Sequence, residues 1–159
     1  MSTMSDQGRD ETFMWRAIEL GLGCPLLPFG AVIVRGETGE VVAEGRNRSG
    51  DAPIWHGEID TIHRCAQSHP GIDWSRLTLY STAEPCPMCQ SAILWAGIPR
   101  VVFGTSIRTL QARGWRQIDI LAEEVARRTP FRQCVIVGGV LEAECDALFE
   151  RPPTELAAG

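Results

Sequence analysis

Two short stretches carry residues able to hold a metal ion and move protons: Trp55-His56-Gly57-Glu58-Ile59 and Glu84-Pro85-Cys86-Pro87-Met88-Cys89. Cys86 and Cys89 are three residues apart, so a helix places them on one face. Pro87 suits a first helical position, where its missing N–H would have no partner anyway, which makes Cys86 the cap. Thiolates at a helix N-terminus are favoured by the helix dipole, and thiolates are what zinc requires. His56 also opens a helical pattern and supplies a third ligand. Three protein ligands with an open fourth position is the arrangement of catalytic zinc, whereas structural sites close all four. His63 and His69 are the remaining imidazoles, but His63 lies two turns along the same helix and would not reach the same ion easily. Glu58, two residues after His56, points elsewhere and can sit beside the ion without ligating it. Water on such an ion has its pKa drawn toward neutrality, and a neighbouring carboxylate can take that proton and pass it to a leaving group. Cys-x-x-Cys alone also suits a structural zinc or a redox pair, and His-x-Glu alone arises often by chance. The two together, each with a strand and helix, specify one Zn2+ per chain held by His56, Cys86 and Cys89, with Glu58 as the acid–base group.

Several elements must position these groups. Residues 10–22 place Phe13, Met14, Ala17, Ile18 and Leu20 at near-helical spacing. Residues 29–34 and 40–45 read as two strands around the Gly36–Gly39 turn, a hairpin. A helix over 56–67 follows, then a strand at 77–81. The almost wholly apolar residues 87–97 predict a buried helix. Strands at 100–104 and 133–137 and a helix over about 140–150 complete the series. Alternating strands and helices predict an α/β fold, a three-layer α/β/α sandwich. Its central sheet is mixed and five-stranded, antiparallel at the hairpin and parallel across two strand–helix–strand units between residues 77 and 137.

The bulk numbers bound the rest. At 159 residues, 44% hydrophobic and 22% charged, the chain suits one globular domain over 1–159, with flexible tails expected at 1–9 and 152–159. No apolar run approaches a membrane span, and the N-terminus lacks the apolar segment of a secretory signal, so a cytoplasmic location is expected and no membrane partner. The formal net charge of −5 opposes a dedicated nucleic-acid binder. Six cysteines invite a disulfide reading, but only Cys86 and Cys89 are close; Cys24, Cys65, Cys134 and Cys145 are expected to be reduced.

At these motifs the chain resembles the cytidine-deaminase-like superfamily of zinc-dependent hydrolytic deaminases, over roughly residues 10–150. The blocks point two ways. Glu84-Pro-Cys-Pro-Met-Cys-Gln-Ser-Ala-Ile-Leu-Trp-Ala96 and Pro28-Phe-Gly-Ala-Val-Ile-Val34 are similar to bacterial guanine deaminase. His56-Gly-Glu-Ile59 and Gly97-Ile-Pro-Arg100 are similar to fungal cytosine deaminase, whereas most guanine and transfer-RNA adenosine deaminases carry Ala where Gly57 stands. The resemblance implies Asn47 as a hydrogen-bonding contact to the substrate ring, and Phe29 and Trp115 as aromatic neighbours of it, with Trp55 expected in the same lining and Gly57 among the substrate contacts. Guanine deaminases place an acid where this chain has Gln117; Asp119 is close enough in sequence to substitute. Cytosine deaminases cap the site with a C-terminal segment bearing aromatic and acidic residues, whereas residues 152–159 here hold no aromatic.

The resulting expectation is hydrolytic deamination of a small free heterocycle, first guanine or a related purine, pterin or triazine, with a cytosine-type pyrimidine as the alternative. A transfer-RNA adenosine deaminase is a further alternative. The segment 140–151 opposes it, with Glu142, Glu144, Asp146 and Glu150 against Arg151, while six arginines in 106–132 favour it. The alternative of another class is a non-catalytic, zinc-stabilised binding module with a closed fourth ligand. The resemblance also implies a homodimer.

Overall fold

The computed structural model describes residues 4–153. Helix α1 (Asp6–Leu22) opens the chain. Strands β1 (Gly30–Arg35) and β2 (Val41–Arg46) follow, then α2 (Gly57–Ser68) and, after a 3-10 turn, β3 (Leu77–Ala83). Helix α3 (Pro87–Ala96) leads to β4 (Arg100–Thr105), short helices α4 (Ile107–Ala112) and α5 (Ala122–Arg127), β5 (Val135–Val137) and α6 (Glu142–Asp146). The sheet order is β2-β1-β3-β4-β5. β1 is antiparallel to both β2 and β3, while β4 runs parallel to β3 and to β5. The mixed five-stranded sheet expected from the sequence is therefore the one formed.

Side-chain alternation splits the core between the two faces. Ile33, Leu79 and Val101 pack with Cys65 of α2 and Ile93 and Leu94 of α3. Their neighbours Val32, Tyr80 and Val102 pack with Met14, Ala17 and Ile18 of α1 and Cys145 of α6. On that second face Arg100 grips Asp10 of α1 through both carboxylate oxygens at 2.8 and 2.7 Å, and Tyr80 donates to the same carboxylate at 2.8 Å. This buried cluster pins α1 across β3 and β4.

Three expectations need correction. The polar stretch 1–9 is not all tail: Ser5 caps α1, its Oγ accepting from the Gly8 N–H at 3.2 Å, and the helix starts at Asp6 rather than 10. The tail expected at 152–159 lies, from 154 on, outside the described residues. Helix α3 is not buried all round. Cys89, Gln90, Ile93 and Leu94 face inward, but Trp95 is 77% exposed and packs edge to face on Phe131. Finally, the crossover from β4 to β5 is not one helix but α4 and α5 with the loop 113–121 between them.

The strand directions decide where the site forms. β2 and β3 both oppose β1, so they point the same way, and β4 points with them. The start of β1, the ends of β2, β3 and β4, and the first turns of α2 and α3 consequently meet at one edge of the sheet, where open α/β sheets bind ligands.

Candidate active site

His56 is the N-cap of α2 and Cys86 the N-cap of α3, both in extended backbone, with Pro87 at the first helical position as its chemistry demands. Both Cys86 Sγ and Cys89 Sγ lie 3.6 Å from His56 Nδ1. All three donor atoms fall within 4.8 Å of one another, and no fourth His, Cys, Asp or Glu joins them among the described residues. Tetrahedral zinc, with Zn–S about 2.3 Å and Zn–N about 2.0–2.1 Å, sets N and S about 3.6 Å apart. The two edges match, so the ligand set fits zinc with one position open. His63 stands apart, its ring packed edge to face on Trp55 at 5.1 Å.

Hydrogen bonds from Cys89 and His56 pull the Cys86 thiol down to about 4, so it is a ready thiolate. His56 is shifted up, first by its hydrogen bond to Cys86. Glu58 is 4% exposed, and Ser81 of β3 donates to its Oε1 at 2.8 Å. Burial, then the negative charge of Cys86, pushes the Glu58 carboxyl up from the ordinary range. Ser81 was not singled out from the sequence: a serine in Leu77-Thr-Leu-Tyr-Ser-Thr-Ala83 carries no signal until the strand is placed beside α2.

His56, Glu58 and Cys86 open on a cavity of about 800 Å³ that Asn47, Phe29, Trp115 and Gln117 also line. Phe29 and Trp115 meet edge to face at 5.7 Å and both pack on Phe149, whose carbonyl accepts from the Trp115 Nε1–H at 3.1 Å. Asn47 Oδ1 accepts from the backbone N–H of Ser49 at 2.9 Å and from its hydroxyl at 2.7 Å. That fixes the amide with its NH2 as the group left to donate.

Three residues sit elsewhere than expected. Asp119 does not line the cavity; it is exposed and accepts from Gln111 Nε2 at 3.1 Å, so the loop presents Arg116, Gln117 and Ile118 instead. Trp55 turns to the other side of its loop and donates to Asp60. Gly57 lines nothing. A Cβ there would stand 2.6 Å from the Phe29 carbonyl oxygen, so its lack of a side chain lets the start of β1 close on α2.

Two further carboxylates brace the segments around the cavity, Glu84 from its lining and Asp60 from outside it. Glu84 accepts from the Ile107 N–H at 3.0 Å and the Ala122 N–H at 2.8 Å, joining the first turns of α4 and α5 to the segment that enters α3. Asp60, 3% exposed, is surrounded by donors from the 46–56 segment and from Arg64.

Residues 7–105 match the family model of the cytidine and deoxycytidylate deaminase zinc-binding region. The chain is 35% identical over 142 residues to the guanine deaminase of Bacillus subtilis, covering 79% of this chain and 86% of that one. A crystal structure of the B. subtilis guanine deaminase superposes with a TM-score of 0.61 at 32% identity, over 83% of this chain and 87% of that chain. A transfer-RNA-specific adenosine deaminase from Buchnera aphidicola is 33% identical, covering 88% of this chain and 85% of that one. The guanine deaminase of Nitrosomonas europaea shares the fold with a TM-score of 0.73 at 20% identity, over 100% of this chain and 88% of that chain.

Proposed function

The chain belongs to the family defined by the cytidine and deoxycytidylate deaminase zinc-binding region, and on that basis we propose that it hydrolytically deaminates a small free aminated heterocycle, first a purine such as guanine or a related pterin or triazine. The observation that carries the reading is the tetrahedral edge made by His56, Cys86 and Cys89 beside a buried Glu58, all opening on an aromatic-walled cavity. Zinc held by these three residues would supply Lewis acidity that draws the pKa of water toward neutrality.

The residues of the chain do the rest. Phe29 and Trp115 supply the apolar wall for the flat ring, and the Asn47 NH2 donates to an acceptor on its edge. The Ser81 hydroxyl fixes Oε1 of Glu58 and leaves Oε2 for proton transfer. Glu58 takes one proton from water as the oxygen adds to the amino-bearing carbon and delivers it to the adjacent ring nitrogen. It then moves the remaining hydroxyl proton to the amino group; the C–N bond breaks, ammonia leaves and the carbonyl forms.

Gln117 favours a second reading of the substrate, a cytosine-type pyrimidine. An amide donates as well as accepts, so it meets a ring oxo group where a carboxylate would meet only N–H donors. A free ring is preferred to RNA because α6 is acidic, with Glu142, Glu144 and Asp146. The proposal includes one catalytic domain over the chain, a cytoplasmic location and a homodimer; no described helix is long and apolar enough to cross a membrane.

The test is ammonia release by the zinc-loaded protein across guanine, cytosine, isocytosine, adenine, guanosine, a pterin, a triazine and a transfer RNA. Glu58→Gln is expected to keep zinc and lose about 10²–10⁴-fold in kcat, the range of general acid–base catalysis. Release at the parent rate by that variant would remove Glu58 from the mechanism. One bound zinc with no ammonia from any compound would favour the binding module instead.

A further inference from the structure

We infer that Asp60, outside the reacting groups, is a positioning residue that fixes Asn47 relative to His56 by clamping both ends of the 47–56 loop. The inference rests on the assignment of Asn47 as a ring contact. Asp60 is the fourth residue of α2, where the side chain points back toward the helix start and the loop that enters it.

Its two oxygens accept three hydrogen bonds and lie within ion-pair distance of a further cation. Oδ2 accepts from the backbone N–H of Arg46, the residue before Asn47, at 3.2 Å and from Arg64 Nε at 3.1 Å. Oδ1 accepts from Trp55 Nε1–H, the residue before His56, at 3.0 Å, and Arg48 Nε, the residue after Asn47, lies 3.3 Å from it. One carboxylate thus touches the neighbours of Asn47 on both sides and the neighbour of His56. The backbone closes the same loop only through Arg48 N–H donating to the Trp55 carbonyl at 2.8 Å. A carboxylate serving only the helix dipole gains nothing from burial, which is costly unless the charge is paired and hydrogen-bonded. Asp60 is buried and fully engaged, and three of its four partners belong to the segment that spans the cavity wall. Displacing them moves the Asn47 amide away from the ring while leaving Cys86, Cys89 and the helix that carries Glu58 in place.

The test is a double-mutant cycle on the zinc-loaded full chain with the best substrate from the panel. Asp60→Asn keeps the shape and one acceptor but removes the charge that holds Arg48 and Arg64. It is expected to lower kcat/KM about tenfold, mainly by raising KM, a coupling within the range for residues of one network. In the Asn47→Ala background the same change should move kcat/KM less than about twofold, because the group it positions is gone. Zinc per chain should stay at the parent level, and Tm should fall equally in both backgrounds. Equal loss of kcat/KM in both backgrounds would mean a merely structural role and overturn the inference alone. An Asn47→Ala variant with parent kcat/KM would overturn the ring-contact assignment, and this inference with it. Trp55→Phe removes one of the three hydrogen-bond donors without touching charge. It should give a smaller rise in KM, so the question stays answerable if Asp60→Asn does not fold, and an unchanged KM there would count against the clamp.

Discussion

Two regions face each other across the cavity. His56, Glu58, Cys86 and Cys89 come from the first turns of α2 and α3. Asn47, Trp115, Arg116 and Gln117 come instead from the loops 47–56 and 113–121. A helix start repeats the same geometry wherever it occurs, so spacing alone aims its side chains. A loop has no such repeat, and its backbone must be tied down by groups from elsewhere. Here the ties are two buried carboxylates, Asp60 on α2 and Glu84 before α3. Both lie next to the candidate zinc and acid–base residues in sequence and reach outward. The centre is fixed locally, and the rim is fixed by reference to the centre.

This contrast can be broken at several points. Cys89→Ala should have the largest effect: zinc content and ammonia release both collapse, while the rim residues keep their folded environment by near-ultraviolet circular dichroism. Glu84→Ala comes next, because it leaves the Ile107 and Ala122 N–H groups buried without an acceptor. At about 1–3 kcal/mol for each such group, the expected loss in a urea unfolding experiment is about 2–6 kcal/mol; a parent-like midpoint would show that the 113–121 loop does not depend on it. Gly57→Ala forces a methyl against the Phe29 carbonyl and should cost about 1–3 kcal/mol, as overpacking does. It should also raise KM, since the start of β1 carries Phe29.

The smallest effect is expected at Asp10, which belongs to neither region. Burial alone would raise its carboxyl, but hydrogen bonds from Arg100 and Tyr80 outweigh that and hold it below the ordinary 3.8. A folded-state pKa lowered in this way adds stability above the unfolded value and loses it as pH falls through the folded one. Asp10→Asn should therefore lie below the parent in Tm near neutrality, and the gap should close as pH is taken down through and below 3.8. KM should not change; a shift in KM would mean that α1 and the rim are coupled.

Much of this was legible in the residues. The Gly36–Gly39 turn between two apolar runs predicted the antiparallel pair, and the spacing of the later strands predicted the parallel crossovers. Where the reading missed, the cause is physical. Helices α4 and α5 have six residues each, too few for a period to show. The start of α1 was hidden because its first turns are polar, with Asp10 turned inward to meet Arg100 ninety residues away. Counting along the chain put Gln117 at the cavity position, but with Asp119 two residues on in the same loop it left room for a substitute that only the folded loop excludes.

The sequence by itself determined the proposed ligand and proton-transfer set: His-x-Glu and Pro-Cys-x-x-Cys at two helix starts leave few other arrangements for those side chains, because helical geometry is local. Only the tertiary structure decided that β2 and β3 point the same way, so that the two helix starts meet with His56 Nδ1 3.6 Å from both thiols. It also decided that Ser81 donates to Glu58, that Gln117 rather than Asp119 lines the cavity, and that Asp60 and Glu84 are spent on donors from other segments. Those relations join residues distant in the chain through hydrogen bonds and burial, which no spacing encodes.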